Sequence, residues 1–175
     1  MKRLTLLFTL VLTVFACATV RAQVTSDQLV AEWQRAKTYT KAYLDAMPDD
    51  GYGFKPTPEM RSFAGQMLHL ADGSYGLIGG ATGKANPLGK VSVEKTVEQN
   101  KAATTKAVMD SYDFVIGAIQ GLTAAQLRES VQFAGKNTTR VILILKAFEH
   151  QTHHRGQATV YLRLKGVTPP QEMLF

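Results

Sequence analysis

Three histidines carry the side chains best suited to chemistry in this chain. His69 sits in Gly65-Gln-Met-Leu-His-Leu-Ala-Asp72, while His150 and His154 sit in Phe148-Glu-His-Gln-Thr-His-His-Arg-Gly-Gln157. On a helix, at about 100° per residue, a step of four leaves His150 and His154 only about 40° apart, one turn above the other. Two imidazoles so placed can reach one ion, and His69, if a second helix brings it close, supplies a third nitrogen. Three nitrogen ligands leave a coordination position for water or substrate, which is the pattern of a catalytic rather than a structural metal site. Burying two imidazoles in an apolar helix without partners is costly, and a metal removes that cost. Imidazole suits zinc, nickel, copper and iron alike, so the residues do not choose the ion.

Other site chemistries lack their residues. No histidine has a glutamate three positions before it, as a di-iron bundle requires. There is no Cys-x-x-Cys-His for covalent haem, no His-Glu-x-x-His, and no glycine-rich phosphate loop. Glu149 precedes His150 rather than lying between the ligands. It is read either as an outer partner that orients a ring or as a solvated surface acid. Gln157 and Tyr75 are read either as pocket residues or as packing or surface residues. Arg155 is read as an anion-binding group or as half of an interhelical or dimer ion pair, and Gly156 as an aid to close helix packing.

The elements that must position these residues read as helices. Thr25-Ser-Asp27 precedes a run in which Leu29, Trp33, Ala36, Tyr39 or Thr40, Tyr43 and Met47 recur at helical steps, ended by Pro48-Asp-Asp-Gly51. Thr57-Pro58 predicts the start of a second helix, running to about Ile78 with a stripe of Phe63, Met67, Leu70 and Leu77 and with His69 near its middle. Gly73 and Gly76 lie inside it, where a glycine costs about 1 kcal/mol against alanine, so close approach by a helix or a ligand is expected there. Gly79-Gly80 is the expected stop.

A third amphipathic run from Val93 to Ile119 predicts one long helix closed by Gly121. Thr123-Ala-Ala-Gln126 fits a capping box for a short helix to about Ser130. Val131-Gln-Phe133 reads as extended and Ala134-Gly-Lys-Asn137 as a turn. The last helix opens at Thr138 or Thr139 and reaches about Lys165, some 28 residues or about 42 Å. Its segment Val141-Ile-Leu-Ile-Leu145 is apolar all round, which predicts burial between partners. The fold class expected is all-α, a four-helix bundle with a short extra helix before the last long one.

Bulk properties agree with one domain. The chain has 175 residues, 45% hydrophobic and 19% charged, enough for a buried core and too apolar for disorder. The N-terminus reads as an export signal over residues 1–22: Lys2-Arg3, then apolar Leu4 to Ala18, then Val20-Arg-Ala22 as a cleavage site. The apolar run falls short of the roughly 20 residues of a membrane span. Val14-Phe-Ala-Cys17 loosely resembles a lipoprotein box, although Phe15 fits it poorly. Removing residues 1–22 takes three bases and no acid, leaving 17 bases against 14 acids, or +3, from the formal +6. The remaining cations are scattered singly, which argues against nucleic-acid binding. Cleavage also removes Cys17, leaving neither a disulfide nor a thiol nucleophile in residues 23–175.

Tyr52-Gly-Phe-Lys-Pro-Thr-Pro-Glu-Met-Arg-Ser-Phe63, His69-Leu-Ala-Asp72, His150-Gln-Thr-His-His-Arg-Gly-Gln157 and Tyr161-Leu-Arg-Leu-Lys-Gly-Val-Thr-Pro169 resemble the DinB family of metal-dependent proteins. The most specific part is His-x-x-x-His-Arg-Gly-Gln on the last helix with a single histidine on the second. The resemblance implies an up-down-down-up four-helix bundle, often a homodimer, holding a divalent metal on His69, His150 and His154. Zinc or nickel is the expected ion, with iron or manganese as alternatives. His153 falls outside that triad and is read as a surface or interface residue. Characterised relatives include thiol transferases and a thiol-dependent isomerase, so thiol transfer to a small molecule is implied. A metal on three histidines could equally activate water, which makes a hydrolase the companion expectation. The alternative is a non-enzymatic exported metal-binding or stress protein. Low-molecular-weight thiols are chiefly cytosolic, so periplasmic export would separate this chain from that cosubstrate.

Overall fold

The computed structural model describes residues 24–175, and the expected signal segment with Cys17 lies outside them. Among the described residues there are six α-helices, a single 3₁₀ turn at Asp49–Gly51 and one small sheet. Four helices are long: α1 Ser26–Ala46, α2 Phe63–Thr82, α4 Lys101–Ile119 and α6 Arg140–Leu164. The short helices are α3 Val93–Thr96 and α5 Ala124–Arg128. Each of α1 and α2 packs against both α4 and α6, so the four long helices close around one core. Trp33, Leu44, Phe63, Met67, Leu70, Tyr112, Ile144 and Leu162 are among its fully or almost fully buried side chains. No helix among the described residues is long and apolar enough to cross a membrane.

Helix α1 starts on the capping box of Thr25 and Gln28. Helix α2 begins five residues later than Thr57-Pro58 predicts. The carbonyls of Phe54 and Tyr52 accept from the amides of Phe63 and Ala64 at 3.0 and 2.9 Å, so residues 57–60 form a turn instead. Ser62 caps the helix by accepting from the Gly65 amide at 2.9 Å. Gly79-Gly80 does not end α2, which runs on to Thr82 and stops at Gly83, φ 74°. Gly80 has another use: a Cβ there would lie 2.4 Å from Cδ2 of Phe133, so the missing side chain is a notch for that ring.

The predicted helix from Val93 to Ile119 is broken in two. Asn100 caps α4 by accepting from the Ala103 amide at 2.8 Å. Helix α3 is capped from outside its own segment, by Asp72 of α2, as described below. The all-α expectation also needs correction. Ser130–Phe133 and Lys136–Thr139 pair as an antiparallel hairpin, β1 and β2. Its turn has Ala134 at φ 49° and Gly135 at φ 76°, the left-handed pair that a tight two-residue turn demands. The hairpin leads directly into α6, where Val141–Leu145 is only half buried. Leu143 and Ile144 face the core, whereas Ile142 and Leu145 are exposed.

Candidate metal centre

Helices α2 and α6 bring the three histidines together. One ring nitrogen from each of His69, His150 and His154 lies within 4.8 Å of the other two. The ring centroids are 4.4 Å apart for His150 and His154, 4.7 Å for His69 and His154, and 5.5 Å for His69 and His150. The helical step of four stacks the α6 pair on one face, and α2 supplies the third ring from across the interface. Room for this comes from Gly73, one turn beyond His69. A Cβ at Gly73 would lie 2.1 Å from Cε1 of His150, so only glycine admits that ring. Gly76 has nothing within 4 Å of its Cβ position, and neither does exposed Gly156; close packing explains neither.

The donor set fits a metal ion. Nδ1 of His150 is buried with no hydrogen-bond partner among the described residues, an uncompensated cost in a folded interior. Trp33 Nε1 and Thr104 Oγ1 share that condition, but neither stands beside other metal-ligating groups. Burial, followed by the neighbouring imidazoles, holds His150 below the usual histidine range and pushes His154 down to about 3. Both rings are therefore neutral near pH 7, the form that ligates metals.

Two of the rings are held from behind. Nδ1 of His69 lies 3.1 Å from Oε2 of Glu94 and 3.3 Å from Nη2 of Arg61. The carboxylate can only accept and the guanidinium can only donate, so they favour opposite tautomers. The shorter contact is to Glu94, whose other oxygen already engages Arg61. With the proton on Nδ1 the Nε2 lone pair is free. Arg61 braces Glu94 through Nε at 2.7 Å, and its carbonyl accepts from the Tyr161 hydroxyl at 2.9 Å. Behind His154, the Gln66 side-chain amide lies 2.9 Å from Nδ1. An amide can present either its oxygen or its NH2 group, and with the oxygen toward Nδ1–H the Nε2 of His154 is free. Gln66 bonds onward to Gln157, and Gln157 reaches Nε2 of His153 at 2.6 Å. His153 is exposed and stands outside the cluster, yet it ends this chain of amides.

The structure redistributes the remaining candidate residues. Glu149 is no ring partner; it is exposed and pairs with Lys146 at 2.8 Å. Tyr75 is buried and packs at a tilt of 54° against Phe114, with a centroid separation of 5.0 Å. Arg155 is buried among the neutral side chains of Gln151, Thr40 and Tyr39. It donates to Oε1 of Gln151 at 2.9 Å and lies 4.3 Å from the Tyr39 ring centre. Sequence reasoning passed over Glu94, Gln66 and Arg61. The amphipathic pattern gave no sign that residues 93–96 leave the helix that follows and turn back to α2.

A mostly helical chain with a tri-histidine centre between two long helices defines the class of protein. The profile of the DinB family matches residues 20–173. The chain belongs to the DinB family. It is similar to the uncharacterized protein YjoA of Bacillus subtilis, 25% identical over 148 residues that span 82% of this chain and 92% of that one. The uncharacterized protein YrdA of the same organism is 26% identical over 152 residues, 83% of this chain and 86% of that one. In structure, a DinB-like protein from Bacillus cereus matches with a TM-score of 0.68 at 24% identity, covering 83% and 96% of the two chains. The YjoA structure matches with a TM-score of 0.65 at 20% identity, covering 85% and 96%. At these identities the structural likeness speaks for the fold.

Proposed function

We propose that this chain is an exported, periplasmic metal-dependent enzyme of the DinB type, a hydrolase or thiol transferase acting on a small molecule. One observation carries the reading: three imidazoles from α2 and α6 bring ring nitrogens within 4.8 Å of one another, and one of these rings, His150, has a buried Nδ1 with no partner among the described residues. His69, His150 and His154 would hold a divalent ion, with zinc or nickel ahead of iron or manganese. Such an ion supplies Lewis acidity that makes water or a thiol a better nucleophile near neutral pH. The chain's own residues do the rest. Glu94 and Gln66 fix two ring orientations, Gly73 admits the third ring, and burial keeps His150 and His154 unprotonated. Export rests on the character of residues 1–22. An up-down-down-up bundle and a homodimer complete the reading and rest on family membership.

The test uses the mature protein. Purified protein should carry about one equivalent of metal per chain, and His150→Ala should lower affinity by about 100-fold or more, since a whole ligand is lost. A variant that keeps a full equivalent in the same site would overturn the assignment. Turnover found in a hydrolase and thiol-transfer screen should disappear on chelation. Strong thermal destabilisation on chelation, with no turnover in any screen, would instead favour a non-enzymatic exported metal-binding protein.

A further inference from the structure

Asp72 lies three residues beyond His69 on α2, and its carboxylate is spent entirely on another segment. Oδ1 accepts from the Val93 amide at 2.6 Å, while Oδ2 accepts from the Glu94 amide at 3.1 Å and from the Ser92 hydroxyl at 2.7 Å. The residue preceding α3, Ser92, makes no side-chain cap of its own. Asp72 thus caps a helix that belongs to a different part of the chain, satisfying its first free amides with a negative charge. Val93, fully buried against the core, fixes the rotation of that turn. The next residue is Glu94, whose carboxylate meets Nδ1 of His69.

We propose that Asp72 and Glu94 are a positioning pair for the metal centre: Asp72 docks α3 so that Glu94 holds His69 with its proton on Nδ1 and its Nε2 turned to the ion. This rests on the metal-binding reading above. Both acids act from behind the ligand, and neither is a ligand itself. The pair also accounts for the break between α3 and α4. A continuous helix from Val93 would have no reason to start against Asp72, one turn from the site. Arg61 holds the second oxygen of Glu94 at 2.7 Å, so the carboxylate is fixed from two sides before any ion arrives.

The experiment is a double-mutant cycle read by zinc affinity in competition with a chromophoric chelator, alongside thermal melts and the ¹⁵N shifts of the His69 ring in the zinc-loaded protein. Loss of an outer partner of a ligating histidine typically weakens binding by about 10- to 100-fold, and Glu94→Ala should fall in that range. Glu94→Gln keeps an acceptor oxygen and should recover to within about threefold of wild type, with the His69 proton still on Nδ1. Asp72→Asn should weaken zinc by about tenfold, because a single amide oxygen cannot serve three donors. The double variant Asp72→Asn/Glu94→Ala should bind no more than about twofold more weakly than Glu94→Ala alone, since the first residue acts through the second. Zinc affinity in Glu94→Ala equal to wild type would overturn the proposal, as would losses that add in the double variant. Glu94 is partly exposed, so its variants are expected to fold even if Asp72→Asn does not. Wild-type protein that binds no zinc, or binds it as well with His150→Ala, would overturn the metal reading itself.

Discussion

Helix α6 carries two polar pairs side by side, His150 with His154 and Gln151 with Arg155. Each pair is spaced by four, and the second is rotated by about 100° from the first. One pair faces α2 and the other faces α1 and α4. On the second face the polar side chains bond to one another. Arg155 donates to Gln151 and lies on Tyr39, Gln151 also accepts from the Tyr112 hydroxyl at 2.9 Å, and that hydroxyl shares a 2.7 Å bond with Thr40. On the first face a ring nitrogen of His150 is left over. Both faces are buried and both mix polar with apolar groups, so composition does not separate them. The balance of donors and acceptors does. Trp33 Nε1, beside Tyr112, is also unpartnered among the described residues but stands alone. The deficit at His150 falls among two further imidazoles, and it is that combination which suits something coming from outside.

Three substitutions or conditions would break or sharpen that contrast. The largest effect should come from Arg155→Ala, which empties a buried volume and leaves the Tyr39 ring face unpaired. It should cost about 2–4 kcal/mol of stability in urea unfolding while shifting zinc affinity by less than about threefold. Equal damage to both would mean that the two faces form one unit. Gly73→Ala should do the reverse. Alanine gains up to about 1 kcal/mol of helix propensity against about 1–3 kcal/mol for the new contact, so stability should fall by no more than about 2 kcal/mol. The displaced His150 ring should weaken zinc by about tenfold, and unchanged zinc affinity would show that the ring is free to move without loss.

The smallest effect concerns pH in the metal-free protein. His154 is neutral in the fold down to about 3, whereas in the unfolded chain it takes up a proton near the ordinary value of about 6.5. Between those values the unfolded state binds more protons. Stability is therefore full above about pH 6.5 and falls as the pH drops toward 3. In urea midpoints measured across that window, His154→Gln should decline less steeply than wild type. Parallel curves would remove His154 from the account.

The His150/His154 pair was legible in the sequence because helical periodicity alone puts positions four apart on one face. His69 needed a second helix through it, and the apolar stripe of α2 supplied one. Gly73 showed that something comes close, but only the packing of α2 on α6 shows that it is His150. Glu94 left no trace in the pattern. It reaches His69 because Asp72 captures α3, a contact between residues 20 apart or more that no local spacing encodes. Of the two readings of Glu149 the solvated surface acid holds, because sequence adjacency to His150 rotates it about 100° away, out to Lys146. The apolar segment 141–145 suggested full burial, but hydrophobic type does not say how many neighbours a helix has.

The notch at Gly80 carries a further consequence. Phe133 seats in it just ahead of α6, and at the far end of that helix the Tyr161 hydroxyl grips the Arg61 carbonyl at the start of α2. The two helices are thus indexed against each other at both ends, with the histidines between the two marks. Packed helices slip in turn-sized steps of about 5.4 Å rather than by fractions, and a slip of one step would carry the α6 rings past His69 altogether. Phe133 and Tyr161 therefore act as the rulings of a vernier. Wear at either mark would be read out at a centre that neither residue touches.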